Sequence, residues 1–230
     1  MEEIGMRKAK SILIFLLVIF AVSICSVYVS AQETFPTKDN PLIIDKKNKR
    51  VLIYTEINAM HLYQPTVHWG VVFKDGRFGD RAILKAYCNQ LDFHDALLQI
   101  GAKPGNNLSK ESVGKYVEGD ELIVTAIISG QNKEFPLSDI FYDSSGKGFK
   151  IKFGGNRIAS EKEKTGCITC LESCWISITS NAAYPMTSPL QRFISPNSQF
   201  RGKMGTLPAK EGHPVILIYR LSGKGEAHAH

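Results

Sequence analysis

In Val51-Leu52-Ile53-Tyr54-Thr55-Glu56-Ile57 the side chains sort by twos. Val51, Ile53, Thr55 and Ile57 share one face, and Leu52, Tyr54 and Glu56 share the other. That period is a β-strand's, and apolar groups on both faces predict a strand inside a sheet that is covered on both sides. Working outward, seven more segments are short, apolar and bounded by Gly, Pro, Asn or Asp: Leu42 to Asp45, Trp69 to Phe73, Ala82 to Tyr87, Leu122 to Ile128, Phe149 to Phe153, Trp175 to Thr179 and Val215 to Leu221. Each is expected to be a strand. Asp75-Gly76 supplies a tight turn after Phe73, because both residue types tolerate positive φ.

One main helix is expected, directly after Cys88. Asn89 is placed to cap it, Asp92 follows near the positive end of the dipole, and Phe93, Ala96, Leu97 and Ile100 recur on one face. Gly101 and then Pro104 end it, since glycine adopts a left-handed conformation past the last turn and proline cannot continue a helix. The fold class is therefore α+β: a β-rich single domain with an antiparallel or mixed sheet and one main helix after Cys88. Its expected bounds are residues 41–221, preceded by a linker at 32–40 and followed by a flexible tail at 222–230.

Residues 1–31 read as an export signal. Arg7, Lys8 and Lys10 precede an apolar run from Ile12 to Ile24, and Val29-Ser30-Ala31 suits signal peptidase, making Gln32 the mature terminus. The alternative is an uncleaved anchor, because the run approaches the length that spans a bilayer. An exported, periplasmic or extracellular protein follows from the first reading and a membrane-associated one from the second. Removing the leader lowers the formal charge only from +6 to +5, and the remaining charges are scattered. No basic stripe with interleaved aromatics occurs, so nucleic acid is not an expected partner.

Three cysteines fall within eight residues, Cys167, Cys170 and Cys174, and the mature chain has one more, Cys88. A C-x2-C-x3-C run supplies three sulfur donors for a metal ion or iron–sulfur cluster, with Cys88 or a histidine as the fourth. Export favours disulfides instead; Cys167 with Cys170 would leave Cys88 with Cys174, one of three connectivities four cysteines permit. His94, on the helix flank after Cys88, is an accessory candidate for a Cys/His site. His61 and His68 are seven residues apart, which is no ligand spacing, and set no site. The chain carries no G-x-S-x-G, P-loop, H-E-x-x-H or G-x-G-x-x-G motif, so no enzyme class is indicated.

Several segments together resemble the YdjY-domain family of bacterial proteins. They are the Asp92-to-Gly105 stretch ending in Gly101-Ala102-Lys103-Pro104-Gly105, Glu118-Gly119-Asp120, Phe153-Gly154-Gly155-Asn156, the cysteine segment from Thr165 to Cys174, and Ile178-Thr179-Ser180-Asn181-Ala182-Ala183-Tyr184. The resemblance runs from Pro41 to Leu221 and implies an exported or lipid-anchored protein loosely associated with ferredoxin-type character. Trp175 stands where a ferredoxin-type run places proline. Two functions are expected from these readings. One is a redox or metal-associated exported protein, whose site is Cys167, Cys170, Cys174 and Cys88, holding an iron–sulfur cluster or metal ion, or exchanging a disulfide, and passing electrons to a redox partner. The other is a non-catalytic module that binds an envelope protein and whose cysteines are structural disulfides.

Overall fold

Strand β2 (Arg50–Ile57) has neighbours along both edges, as its two-faced apolar pattern requires. Strand β12 (Pro214–Leu221) pairs antiparallel with its whole length, while β1 (Leu42–Asp45) takes the first half of the other edge and β4 (Leu84–Ala86) the second. The computed structural model describes residues 34–187 and 200–222. The expected leader, the expected mature terminus at Gln32 and residues 223–230 of the expected tail lie outside the described residues. Within them, no helix is long and apolar enough to cross a membrane.

Ten strands make the main sheet, in the order β6 (Glu134–Pro136), β5 (Leu122–Ile128), β12, β2, β4, β3 (Trp69–Phe73), β9 (Cys167–Cys170), β10 (Thr179–Asn181) and β8 (Ile151–Phe153), with β1 joined to β2. The β3–β4 and β9–β10 pairs are parallel and the others antiparallel, so the sheet is mixed. Strands β7 (Phe141–Asp143) and β11 (Phe200–Gly202) form a separate antiparallel pair.

Four α-helices occur among the described residues: α1 (Met60–Tyr63), α2 (Gln90–Gln99), α3 (Leu137–Ile140) and α4 (Arg157–Glu163). Helix α2 is the ten-residue one expected after Cys88; the three shorter helices carry too few residues for a hydrophobic period to announce them. The Asn89 side chain accepts hydrogen bonds from the Leu91 and Asp92 amides, both at 2.9 Å, satisfying two of the orphan donors of the first turn. Phe93, Ala96 and Leu97 are fully buried, and the Phe93 ring meets Tyr219 of β12 at 4.7 Å between centroids. Burying Phe93 or Leu97 contributes about 1.5–3 kcal/mol each.

Three expected strands differ. Ala82 to Tyr87 narrows to Leu84–Ala86 and Phe149 to Phe153 narrows to Ile151–Phe153. Trp175 to Thr179 is a turn until Thr179, where β10 begins. The reason lies in its carbonyls: Asn156 Nδ2 donates to the backbone oxygens of Cys174 and Ser177, both at 3.0 Å, and Ser177 Oγ donates to that of Thr179 at 2.8 Å. Side chains thus take the places that ladder partners would fill.

Apolar side chains form two clusters. The larger includes Val51, Ile53, Val71, Leu84, Cys88, Phe93, Leu97 and Tyr219. The smaller comprises Val67, Trp69, Val72, Ala82, Cys167, Cys170 and Cys174. Because Val71 belongs to the first and its neighbour Val72 to the second, β3 separates the two clusters onto opposite faces of the sheet.

Candidate functional site

Strand β9 carries two of the three clustered cysteines, and a strand of perfect period two would point Cys167 and Cys170 to opposite faces. The ladder with β3 prevents that. Its register runs Cys167 opposite Val72, Thr169 opposite Val71 and Cys170 opposite Trp69, so Ile168 is an extra residue on β9 and Gly70 an extra residue on β3. The first bulge lets Ile168 join the main core and Thr169 Oγ1 reach the Tyr219 hydroxyl at 2.8 Å on that same side. Cys167 and Cys170 consequently both enter the smaller cluster, where Cys174 returns from the following loop.

The approach to β9 depends on close backbone contact. Gly166 has φ +79°, and a Cβ on it would stand 2.8 Å from the Gly76 Cα, so the expected Asp75-Gly76 turn packs directly on the residue before Cys167. A side chain at Gly166 would be strained in conformation and obstructed in space.

His68 completes the site. It immediately precedes β3, and its carbonyl accepts from the amides of Leu171 at 2.7 Å and Gly70 at 3.1 Å, fixing it against the cysteine segment. One ligand atom each from His68, Cys170 and Cys174 lie within 4.8 Å of one another. Cys167 lies in the same buried cluster, so the third sulfur is on this side of the sheet as well. Behind His68, Glu172 Oε2 stands 3.6 Å from Nδ1, and Thr187 Oγ1 donates to the same carboxylate oxygen at 3.0 Å. Nδ1 is buried and beyond hydrogen-bond distance of any partner among the described residues.

These neighbours split the ionisation of the sulfurs. Burial pushes the Cys170 thiol well above its usual range, and the adjacent Cys167 and Cys174 sulfurs push it further. Cys174 goes the other way: the hydrogen bond from Cys170 and the His68 imidazole, against the cost of burial, hold it well below the ordinary thiol value. Burial pulls the His68 pKa down, but the Cys174 sulfur and the Glu172 carboxylate outweigh it and raise the value to about 10. These directions favour a charged Cys174–His68 pair beside a neutral Cys170 thiol.

The loop that returns Cys174 is clamped by amides and hydroxyls. Asn156 holds the Cys174 and Ser177 carbonyls from a left-handed conformation, φ 49°. Gly155 before it has φ +86°, and a Cβ there would approach Asn106 Oδ1 to 2.3 Å. Asn181 Nδ2 donates to the Leu171 carbonyl at 3.1 Å, and Ser173 Oγ donates to that of Tyr184 at 2.7 Å. The Gly-Gly-Asn and Asn-Ala-Ala-Tyr segments quoted above therefore act as the frame of the cysteine loop.

Cys88 is placed elsewhere. It sits in the main core with Phe93 and Ala96, on the other face of the sheet from the three cysteines, and burial pushes its thiol up to about 12. All four cysteines among the described residues are free thiols, including both pairs weighed for disulfides. His94 is buried against the Phe153 ring at 5.2 Å between centroids, with Nδ1 2.9 Å from Asp95 Oδ1; it is not among the residues gathered at the sulfurs. The histidine that is gathered, His68, was passed over because ligand spacing along the chain cannot reveal a partner delivered by a β-ladder across about a hundred residues.

The chain matches the model of the family described as YdjY domain over residues 42–220. It is similar to the Uncharacterized protein YdjY of Escherichia coli (strain K12), at 34% identity over 174 residues that cover 75% of this chain and 76% of that protein. No solved structure matches it significantly.

Proposed function

The chain belongs to the YdjY domain family, and on that premise we propose that it is an exported metal-associated protein whose centre is His68 with Cys167, Cys170 and Cys174. The observation that carries this reading is the approach of His68, Cys170 and Cys174 donor atoms to within 4.8 Å of one another inside the protein. Two sulfurs bound to one tetrahedral ion at about 2.3 Å stand about 3.8 Å apart, so the spacing suits a single thiophilic ion such as Zn²⁺. A four-iron cluster spreads its thiolates over separate corner irons and needs a wider shell. Glu172 supports the reading, because a carboxylate behind an imidazole is the usual means of orienting a ligating histidine. Export rests on the leader, and fits the family resemblance.

Reduced, metal-free protein titrated with Co²⁺ is the test. One equivalent should bind with intense thiolate charge-transfer and tetrahedral ligand-field absorption, and His68→Ala and Cys170→Ser should lose both. A protein that takes up no ion while its four thiols titrate as free would overturn the proposal. A second reading is favoured by one observation, the close approach of the Cys170 and Cys174 sulfurs, whose surroundings drive their thiols in opposite directions. In it the pair is an exchangeable dithiol: Cys174 attacks the disulfide of a partner, the leaving thiolate takes a proton, and Cys170 then resolves the mixed disulfide. Trapping a mixed disulfide on Cys174 in Cys170→Ser, with no metal uptake by the wild type, would favour that chemistry.

A further inference from the structure

A second concave site, with none of the sulfur-centre residues in its lining, lies beside β8 at the edge of the sheet. Strand β8 turns Ile151 and Phe153 into the core, and alternation sends Lys152 to the outer side, with Lys150 just before the strand. Opposite them runs the segment that contains Lys115, Tyr116, Val117 and Glu118, and the two line an open groove of about 430 Å³. That volume falls in the range of small-molecule sites, roughly 300–1,000 Å³.

The wall is preformed. The Met186 amide donates to the Lys115 carbonyl at 2.8 Å, and the Val117 amide donates to Ser173 Oγ at 2.9 Å. Asn107, also in the lining, spends its amide on the wall itself, donating to the Tyr116 carbonyl at 2.9 Å and accepting from the Glu118 amide at 3.0 Å. The charged and aromatic residues of the lining are Lys115, Lys150, Lys152, Glu118 and Tyr116. Three lysines against one glutamate leave the lining with two excess positive charges. Lys150 is partly countered by Glu121 at 3.4 Å, whereas Lys115 and Lys152 have no ion-pair partner among the described residues. Tyr116 is 50% exposed, an aromatic side chain half open to solvent.

We propose that this groove binds a small phosphate monoester that also carries hydroxyl groups. The phosphate would be held by Lys115 and Lys152 with help from Lys150, through charge-assisted hydrogen bonds to its oxygens. Glu118 is an acceptor for a ligand hydroxyl and repels a second anionic group, which selects a molecule charged at one end. The site shares no lining residue with the sulfur centre, so it stands or falls independently of the metal reading.

The test is calorimetric titration of the full chain at low ionic strength with glycerol phosphate, inorganic phosphate and glycerol. Glycerol phosphate should bind at one site and more tightly than inorganic phosphate, and glycerol should not bind. Lys115→Gln and Lys152→Gln should each weaken glycerol phosphate binding by about tenfold or more, with unchanged thermal midpoints. Lys162→Gln, on the exposed side of α4, should leave it unchanged. Equal weakening by Lys162→Gln would mean diffuse surface attraction and overturn the site. So would sedimentation with phosphatidate vesicles without binding of the soluble ester, which would make the source a lipid headgroup.

Discussion

Cys88 and Cys174 are buried to nearly the same degree, 4% and 5% exposed, yet their sulfurs are driven in opposite directions. Around Cys88 stand Phe93, Ala96 and the other apolar groups of the main core, and against burial the charged form gains only its own backbone amide while Asp92 repels it. Around Cys174 stand the Cys170 thiol and the His68 imidazole, which repay the loss of water. Burial alone makes a thiol an inert small hydrophobe. Burial beside a donor and a cation makes it a ligand or nucleophile. The two faces of β3 thus hold the same residue type in two chemical roles, and the separation is achieved by the sheet and not by distance along the chain.

The largest expected effect breaks this contrast directly. Cys174→Ala should weaken Co²⁺ or Zn²⁺ binding by more than the roughly 100-fold that bounds the loss of an outer partner, while Cys88→Ala should leave it unchanged, as measured by competition against a chelator of known affinity. Equal losses would place both cysteines in one site.

Next in size is a cost in stability confined to the apolar face. Leu97→Ala should destabilise by about 2–5 kcal/mol in urea unfolding, because the side chain is fully buried under the sheet. Metal stoichiometry should survive, and its loss would show that the two faces are not independent.

Smaller still is the outer partner of His68. Glu172→Gln keeps the shape of the side chain and removes its charge, and should lower metal affinity by about 10–100-fold. An unchanged affinity would mean that Glu172 does not orient the imidazole.

The smallest effect concerns acid. Arg157 holds the Asp95 carboxyl below the usual range, with His94 assisting, and so ties α2 to α4. A depressed carboxylate contributes stability fully above its unfolded pKa of about 3.9, and the contribution is lost as pH falls through the lower folded value. Asp95→Asn should remove that part of the acid dependence, read as a flatter thermal midpoint below about pH 4. The change is modest, since Asp95 is 48% exposed and its pairing is screened.

Much of the frame could be read from local chemistry. The period-two pattern of β2, the boundaries of β1, β3 and β5, and the capping of α2 by Asn89 all depend on residues within one or two turns of each other. The short strands β6, β7, β10 and β11 could not be read so, because three residues carry no period. Strand β9 hid for another reason: cysteines invite a chemical reading before a conformational one.

By itself the sequence determined that sulfur would be concentrated at 167–174, that the domain would be β-rich and that a capped helix would follow Cys88, since composition and short-range periodicity suffice for these. Only the tertiary structure decided which side chains meet those sulfurs. It excluded Cys88 by facing it into the other layer, brought His68 across the β3–β9 ladder, and used the bulge at Ile168 to turn Cys167 and Cys170 to one side. The physical reason is that strand pairing joins segments about a hundred residues apart, and a one-residue slip in its register reverses the face on which every side chain lies.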